Sequence, residues 1–258
     1  MRKNNNKEYK KQTTLIFIVS LILVSSVFLI IVDSIKKSSR EQFHSFYDNK
    51  YGHKYMVRGV DVSHHNGPVN WSQLKNEGIT FSYLKSTEGI SHIDRNYKSN
   101  YENSKQSNIK TGTYHFYTFG LDGEMQAHHF MRHAIVGSGD LIPAIDVEHS
   151  PANKYSNDKD YIKIVIDELI KLEYEMYEYY GVRPIIYTNK DCYKLYIKNH
   201  FPENLIWMSD LHNEPDLKDY NWIFWQFSHT GNINGVSGDI DLNYFRYSFR
   251  QFNQFLMP

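Results

Sequence analysis

From Val57 onward, short apolar runs alternate with stretches whose apolar residues recur at helical spacing. The runs predict eight strands: Val57–Val62, Ile79–Lys85, Lys110–Tyr117, Leu141–Val147, Arg183–Thr188, Leu205–Ser209, Trp222–Phe227 and Ile240–Tyr244. Between several of them lie amphipathic segments that predict helices over Asn96–Ser107, Gly123–Val136 and Asp158–Tyr180. In the last, Ile162, Val165, Ile166, Leu169, Ile170 and Leu172 form a stripe on one face; Gly181 stops the helix and Pro184 opens the next strand. Strands alternating with helices imply an α/β fold with a mainly parallel sheet. Eight such units suggest a closed (β/α)8-like barrel. That architecture usually takes about 250 residues. Residues 57–249 number only 193, so the expectation is a trimmed, irregular barrel that lacks helices after its sixth strand.

One segment breaks the alternation. Leu15 to Val32 is an 18-residue apolar run interrupted only by Ser20, Ser25 and Ser26. As a helix it spans about 27 Å, close to a bilayer core of roughly 30 Å. Arg2, Lys3, Lys7, Lys10 and Lys11 precede it, a bias that places the N-terminus inside. Asp33-Ser34-Ile35-Lys36 follows, which offers no small-x-small cleavage site. The expected organisation is a basic cytoplasmic tail (1–14), a transmembrane signal-anchor in the lipid bilayer (15–32), a stalk (33–56) and a body (57–258) outside the cytoplasm; a cleaved signal peptide is the alternative reading of the apolar run.

Charge and composition narrow the function. The chain holds 29 basic and 29 acidic residues, but residues 1–57 carry a net +6 and residues 58–258 a net −6. An acidic body is a poor partner for phosphate backbones, so nucleic-acid binding is excluded. Cys192 is the only cysteine, which rules out an intrachain disulfide framework and any Cys-cluster metal site.

The candidate chemistry is carboxylate chemistry. In Ile145-Asp146-Val147-Glu148 an apolar strand ends in two acids at i and i+2, on one face and about 6.5–7 Å apart along the chain. Barrel active sites are built from C-terminal strand ends. Two acids on one face repel, so one can stay protonated while the other ionises, the division that glycoside hydrolysis requires. A helix cap or a cation site would present the same pattern. Asp61 ends the first strand and Asp241 lies at the last. These strands are neighbours in a closed barrel, so both acids should reach one rim.

The run Asp61-Val62-Ser63-His64-His65-Asn66-Gly67, with Gly78 and Tyr83-Leu84-Lys85-Ser86-Thr87-Glu88-Gly89, resembles the signature of glycoside hydrolase family 25 lysozymes. Gly112-Thr113-Tyr114-His115-Phe116, Ile145–Glu148, Trp225-Gln226-Phe227 and Asp241-Leu242-Asn243 match in the same order. The resemblance spans Val57 to Phe249; His92 departs from it, standing where an aromatic or leucine is usual. It implies hydrolysis of the β-1,4 bond between N-acetylmuramic acid and N-acetylglucosamine in peptidoglycan, without a metal or cofactor. It also implies Glu148 as general acid, Asp146 as stabiliser of the developing charge or of an attacking N-acetyl group, and Asp61 and Asp241 as cleft acids that tune the pair.

Tyr114, Tyr187, Trp207 and Trp225 are candidates to stack on sugar faces, or else barrel core; Glu88 and Gln226 could bond sugar substituents or brace the rim. Lys85 is expected to pair with a neighbouring acid. His129 and His133, beside His128, stand at i, i+4 as metal ligands could, and His64-His65 beside Asp61 leave open a metal-dependent amidase or deacetylase. A tethered, non-catalytic glycan-binding module is the third reading.

Overall fold

The structure, a computed structural model, describes residues 22–34, 51–52, 54–216 and 221–258. Residues 22–34 are helical, with exposed apolar side chains, and belong to a unit separate from the compact body of residues 50–258. Residues 1–21, which include the first part of the expected anchor, and most of the expected stalk lie outside the described residues. Among the described residues no helix is long and apolar enough to cross a membrane.

The body is a closed eight-stranded barrel. Its strands are β1 (Val57–Val62), β2 (Ile79–Glu88), β4 (Lys110–Phe116), β5 (Ala144–Val147), β6 (Ile185–Asn189), β7 (Ile206–Ser209), β8 (Trp222–Gly231) and β9 (Ile240–Phe245). The two-residue β3 (His92–Ile93) adds a hairpin to the end of β2. Pairing runs β1-β9-β8-β7-β6-β5-β4-β2 and closes through a parallel β1–β2 contact. The helices before the barrel's midpoint are α1 (Trp71–Asn76), α2 (Tyr97–Gln106) and α3 (Gly123–His133). α4 (Lys159–Tyr180) follows β5; Asp158 caps its first turn and Gly181, at φ 70°, ends it.

Trimming after the sixth barrel strand agrees with the sequence: among the described residues no helix stands between β7 (Ile206–Ser209) and β8. The trimming reaches the fifth strand as well, because β6 is followed only by the three-residue α5 (Lys190–Cys192) and a π-turn over Tyr193–Ile197. One feature departs from the expected parallel sheet: β9 runs antiparallel to both β8 and β1. This brings the start of β9 to the rim formed by the ends of the other strands. Asp241 thereby sits directly opposite Asp61 in the β1–β9 ladder.

The interior is filled in layers by inward side chains, many aromatic. At the lower end Phe81, Phe224, Phe245 and Phe252 pack together, with Phe81 and Phe224 centroids 4.9 Å apart. Above them Tyr83 and Tyr187 each meet Trp207, at 4.7 and 4.8 Å. Two glycines make room for these rings: a Cβ on Gly59 would lie 2.3 Å from the Phe81 ring, and one on Gly112 would lie 2.4 Å from that of Tyr83.

The body also begins earlier than the stalk boundary at residue 56 anticipates. Tyr51 and Tyr55 are buried, edge-on to Trp225 and Trp222 at 5.0 and 5.7 Å. The Tyr55 hydroxyl donates to Glu214. Aromatics scattered in a polar stretch are here part of the folded body, covering the outer face of β8.

Candidate active site

The cleft opens at the barrel rim and is assembled from the last inward residue of almost every strand. Alternation along each strand decides which residue that is. On β1 Gly59 faces the core and Asp61 the cleft; on β8 Phe224 is core and Gln226 cleft. On β2 the series Phe81, Tyr83, Lys85 climbs to the rim. There the β2–β4 register shifts between Lys85 and Thr87, and this irregularity brings Glu88, three residues on, to the same side. Lys85 Nζ meets Glu88 Oε2 at 2.6 Å and lies 4.5 Å above the Phe116 ring.

Asp61 is the most tightly held acid. Gln226 Nε2 donates to both its oxygens, at 3.3 and 3.1 Å, and Asn243 Nδ2 donates to Oδ2 at 2.7 Å. Both amides are themselves locked by groups behind them. Tyr187 Oη and Ser209 Oγ donate to Gln226 Oε1 at 2.8 and 2.9 Å. Trp207 Nε1, which can only donate, reaches Asn243 Oδ1 at 2.7 Å. Two donor chains thus converge on one carboxylate.

That arrangement divides the protons. Burial raises Asp61, while the bonds from Asn243, Gln226 and Asp241 favour its anion. Asp241 is pushed up to about 9 by burial and by the negative Asp61 beside it. It is therefore the acid of the pair that keeps its proton at neutral pH, and it donates that proton toward Asp61.

Asp146, at the end of β5, is 6% exposed, and its buried Oδ1 has no hydrogen-bond partner among the described residues. Burial and the neighbouring Glu148 raise its pKa; Lys85 opposes them. Glu148, one residue beyond β5, is raised to about 7 by burial and by Asp61, against Lys85 and the Tyr187 hydroxyl. A carboxyl poised near neutrality is suited to deliver a proton.

The cleft lined by these groups has a volume of about 410 Å³. A second depression of about 530 Å³ continues it past Glu148 and Asp241 toward Lys190, Asp191, His212 and His229. The acids therefore sit midway along a groove rather than at the end of a closed pocket. That shape admits a chain cut internally.

Of the candidates read from the sequence, Asp61, Asp146, Glu148, Asp241, Glu88, Tyr114, Tyr187, Trp207 and Gln226 all line the cleft. Trp225 does not. It is fully buried on the outer face of β8, among Tyr51, Tyr55 and Tyr244, with its indole N–H on the Asp210 carbonyl. Because Gln226 faces inward, its neighbour must face outward, so no sugar in this cleft can stack on Trp225. Trp207 lines the floor but is 2% exposed and braces Asn243. Asn243 joins the candidates only in the structure, although its place two residues after Asp241 marks it as a same-face neighbour.

Two of the candidate histidines are bonded away from the acids, while His65 lines the cleft. His64 Nδ1 bonds Asp94 at 2.7 Å, and His129 Nε2 meets the His92 carbonyl at 2.9 Å. Among the described residues no group of three His, Cys, Asp or Glu is arranged to hold a metal.

Comparison with known proteins places the chain in a family. Residues 60–236, more than half of the chain, match the sequence model of glycosyl hydrolases family 25. The chain is 31% identical over 205 residues to lysozyme M1 of Streptomyces globisporus, covering 74% of this chain and 68% of the relative. The structure of a family 25 glycosyl hydrolase from Bacillus anthracis is similar with a TM-score of 0.71 and 32% identity, over 79% of this chain and 94% of the other. A bacterial lysozyme from Streptomyces coelicolor matches with a TM-score of 0.71 and 28% identity, over 78% of this chain and 96% of the other. With the barrel, the acid-lined groove and these likenesses in agreement, the chain belongs to glycosyl hydrolases family 25 and is a lysozyme-like glycoside hydrolase acting on peptidoglycan.

Proposed function

We propose that the chain cleaves the β-1,4 bond between N-acetylmuramic acid and N-acetylglucosamine, with Glu148 as general acid. The observation that carries this reading is the Asp146–Glu148 pair at the middle of an open groove, with Glu148 raised to about 7. Glu148 protonates the glycosidic oxygen as the bond breaks. Positive charge then develops on the sugar, and an anion at Asp146 is stabilised by it. The unpartnered Asp146 Oδ1 is free to accept the N–H of a 2-acetamido group, which would align that group for attack. Asp61, held by Gln226 and Asn243, supplies fixed negative charge. Tyr114 and Tyr187 line the cleft beside the acids.

Residues 15–32 are proposed to anchor the enzyme in the membrane, with the barrel outside the cytoplasm. The apolar run and its basic flank support this, as does the helix over residues 22–34 with exposed apolar side chains. An acidic body gains nothing from charge near an anionic wall, and a tether supplies the missing local concentration.

The test is digestion of purified peptidoglycan by the full chain, with products reduced by borohydride and read by mass spectrometry. Fragments ending in reduced muramic acid, unaffected by EDTA, are expected. Glu148→Gln should lower turnover by about 10²–10⁴ while leaving the fold intact. Near wild-type turnover in that variant would remove Glu148 from the acid role. Freed peptides or deacetylated glycan that vanish with EDTA would overturn the reading altogether.

A further inference from the structure

Beside the catalytic cleft lies a separate depression of about 480 Å³, between the 67–69 loop and the first turns of α2. Only a thin ridge divides the two. The His64 and His65 rings stack with centroids 3.9 Å apart; His65 lines the cleft and His64 the neighbouring pocket.

α2 turns Asn96, Ser99, Asn100 and Asn103 toward this pocket. Their spacing of three and four residues puts them on one helix face. Asn100 differs from the rest in being only 6% exposed. Its side chain bonds Trp71 Nε1 at 3.3 Å, and an indole N–H can only donate, so the amide oxygen is the atom used. The NH₂ group is left to the pocket, with no acceptor among the described residues. Arg95 brings a positive charge to the same wall; it is exposed and forms no ion pair or hydrogen bond with any described residue. Asp94, the acid beneath them, is buried and already used. Its Oδ2 takes the His64 backbone N–H and Nδ1, each at 2.7 Å, and its Oδ1 takes the Asn96 N–H at 2.9 Å.

We propose that this pocket binds a free carboxylate of the peptide stem carried by the glycan strand in the cleft, through Arg95 and the Asn100 amide. The inference rests on peptidoglycan being the substrate. The carboxylate that Gln226 and Asn243 hold at Asp61 repels the stem's acids from the centre of the cleft, so a stem attached to a bound sugar is directed out of it. Across the ridge it meets a fixed amide donor, an unpaired guanidinium and a small apolar wall at Pro68 and Val69. An extended peptide advances about 3.3–3.6 Å per residue, so two or three residues cross two stacked rings.

The experiment compares hydrolysis by the full chain of intact, stem-bearing glycan and of glycan stripped of peptide by an amidase. Arg95→Ala should raise KM about tenfold on the stem-bearing substrate, the loss expected for a charge-assisted hydrogen bond. It should change KM less than about twofold on the stripped one, with Arg95→Lys restoring part of the loss. Asn100→Asp keeps an acceptor for Trp71 and should weaken the stem-bearing substrate selectively through repulsion. Equal shifts on both substrates, or none on either, would overturn the proposal. A second arm titrates the isolated stem peptide into the full chain and follows amide shifts by NMR. Saturable binding that Arg95→Ala abolishes supports the pocket, and no binding refutes it. If wild-type chain cleaves neither glycan, the peptidoglycan reading fails, and the titration still decides the pocket.

Discussion

Asp241→Asn tests the proton division in the cleft through stability rather than turnover. An unfolded aspartate loses its proton near 3.8, whereas Asp241 in the folded chain holds it to about 9. Between those values the folded state binds one more proton than the unfolded state. Stability therefore falls as pH rises, by about 1.4 kcal/mol per pH unit for this group, and the loss is complete above the folded value. Asparagine cannot titrate, yet it keeps a donor for Asp61. At pH 7 the wild-type chain has crossed roughly three units of that window, an upper bound of about 4 kcal/mol. Because water enters at the open cleft, a gain of about 2–4 kcal/mol is expected for the variant at pH 7, and little at pH 4. Urea unfolding of both chains at pH 4, 5.5, 7 and 8 measures it, with the difference widening as pH rises. A variant equally stable or less stable at every pH, with an unchanged slope, would show that Asp241 is ionised in the folded protein.

Two further perturbations probe the same layer and the one below it. Lys85→Met removes the cation that favours the anions of Asp146 and Glu148, so both should hold their protons to higher pH; the alkaline limb of the kcat profile should move up, and an unmoved or lowered limb would count against Lys85 as their counter-ion. Gly59→Ala forces a Cβ into the Phe81 ring and should destabilise the barrel by about 1–3 kcal/mol or more in urea unfolding; a variant as stable as wild type would mean that the ring yields without cost.

Much of this was legible along the chain because the relevant signals are local. Eight apolar runs, the 3.6-residue stripe of α4 and the stop at Gly181 follow from backbone periodicity, and each run contains or overlaps an observed strand. The two-residue period likewise placed Asp146 and Glu148 together and carried Asp61 to a strand end. The same period, applied to adjacent residues, forbids Trp225 and Gln226 from both facing the cleft. Family likeness in Trp225-Gln226-Phe227 pointed to the strand but not to which of its faces meets substrate.

Sequence by itself determined the barrel, its missing late helices and the set of acids at its rim, since these depend on patterns a few residues long. Tertiary structure decided the rest. The β2 irregularity turned Glu88 onto Lys85, the antiparallel β9 set Asp241 against Asp61, and packing drew Tyr51 and Tyr55 into the body. It also decided which carboxyl keeps its proton. Proton affinity follows from burial and from the groups a few ångströms away, and those neighbours come from strands as much as 182 residues apart in the chain, brought together only when the barrel closes.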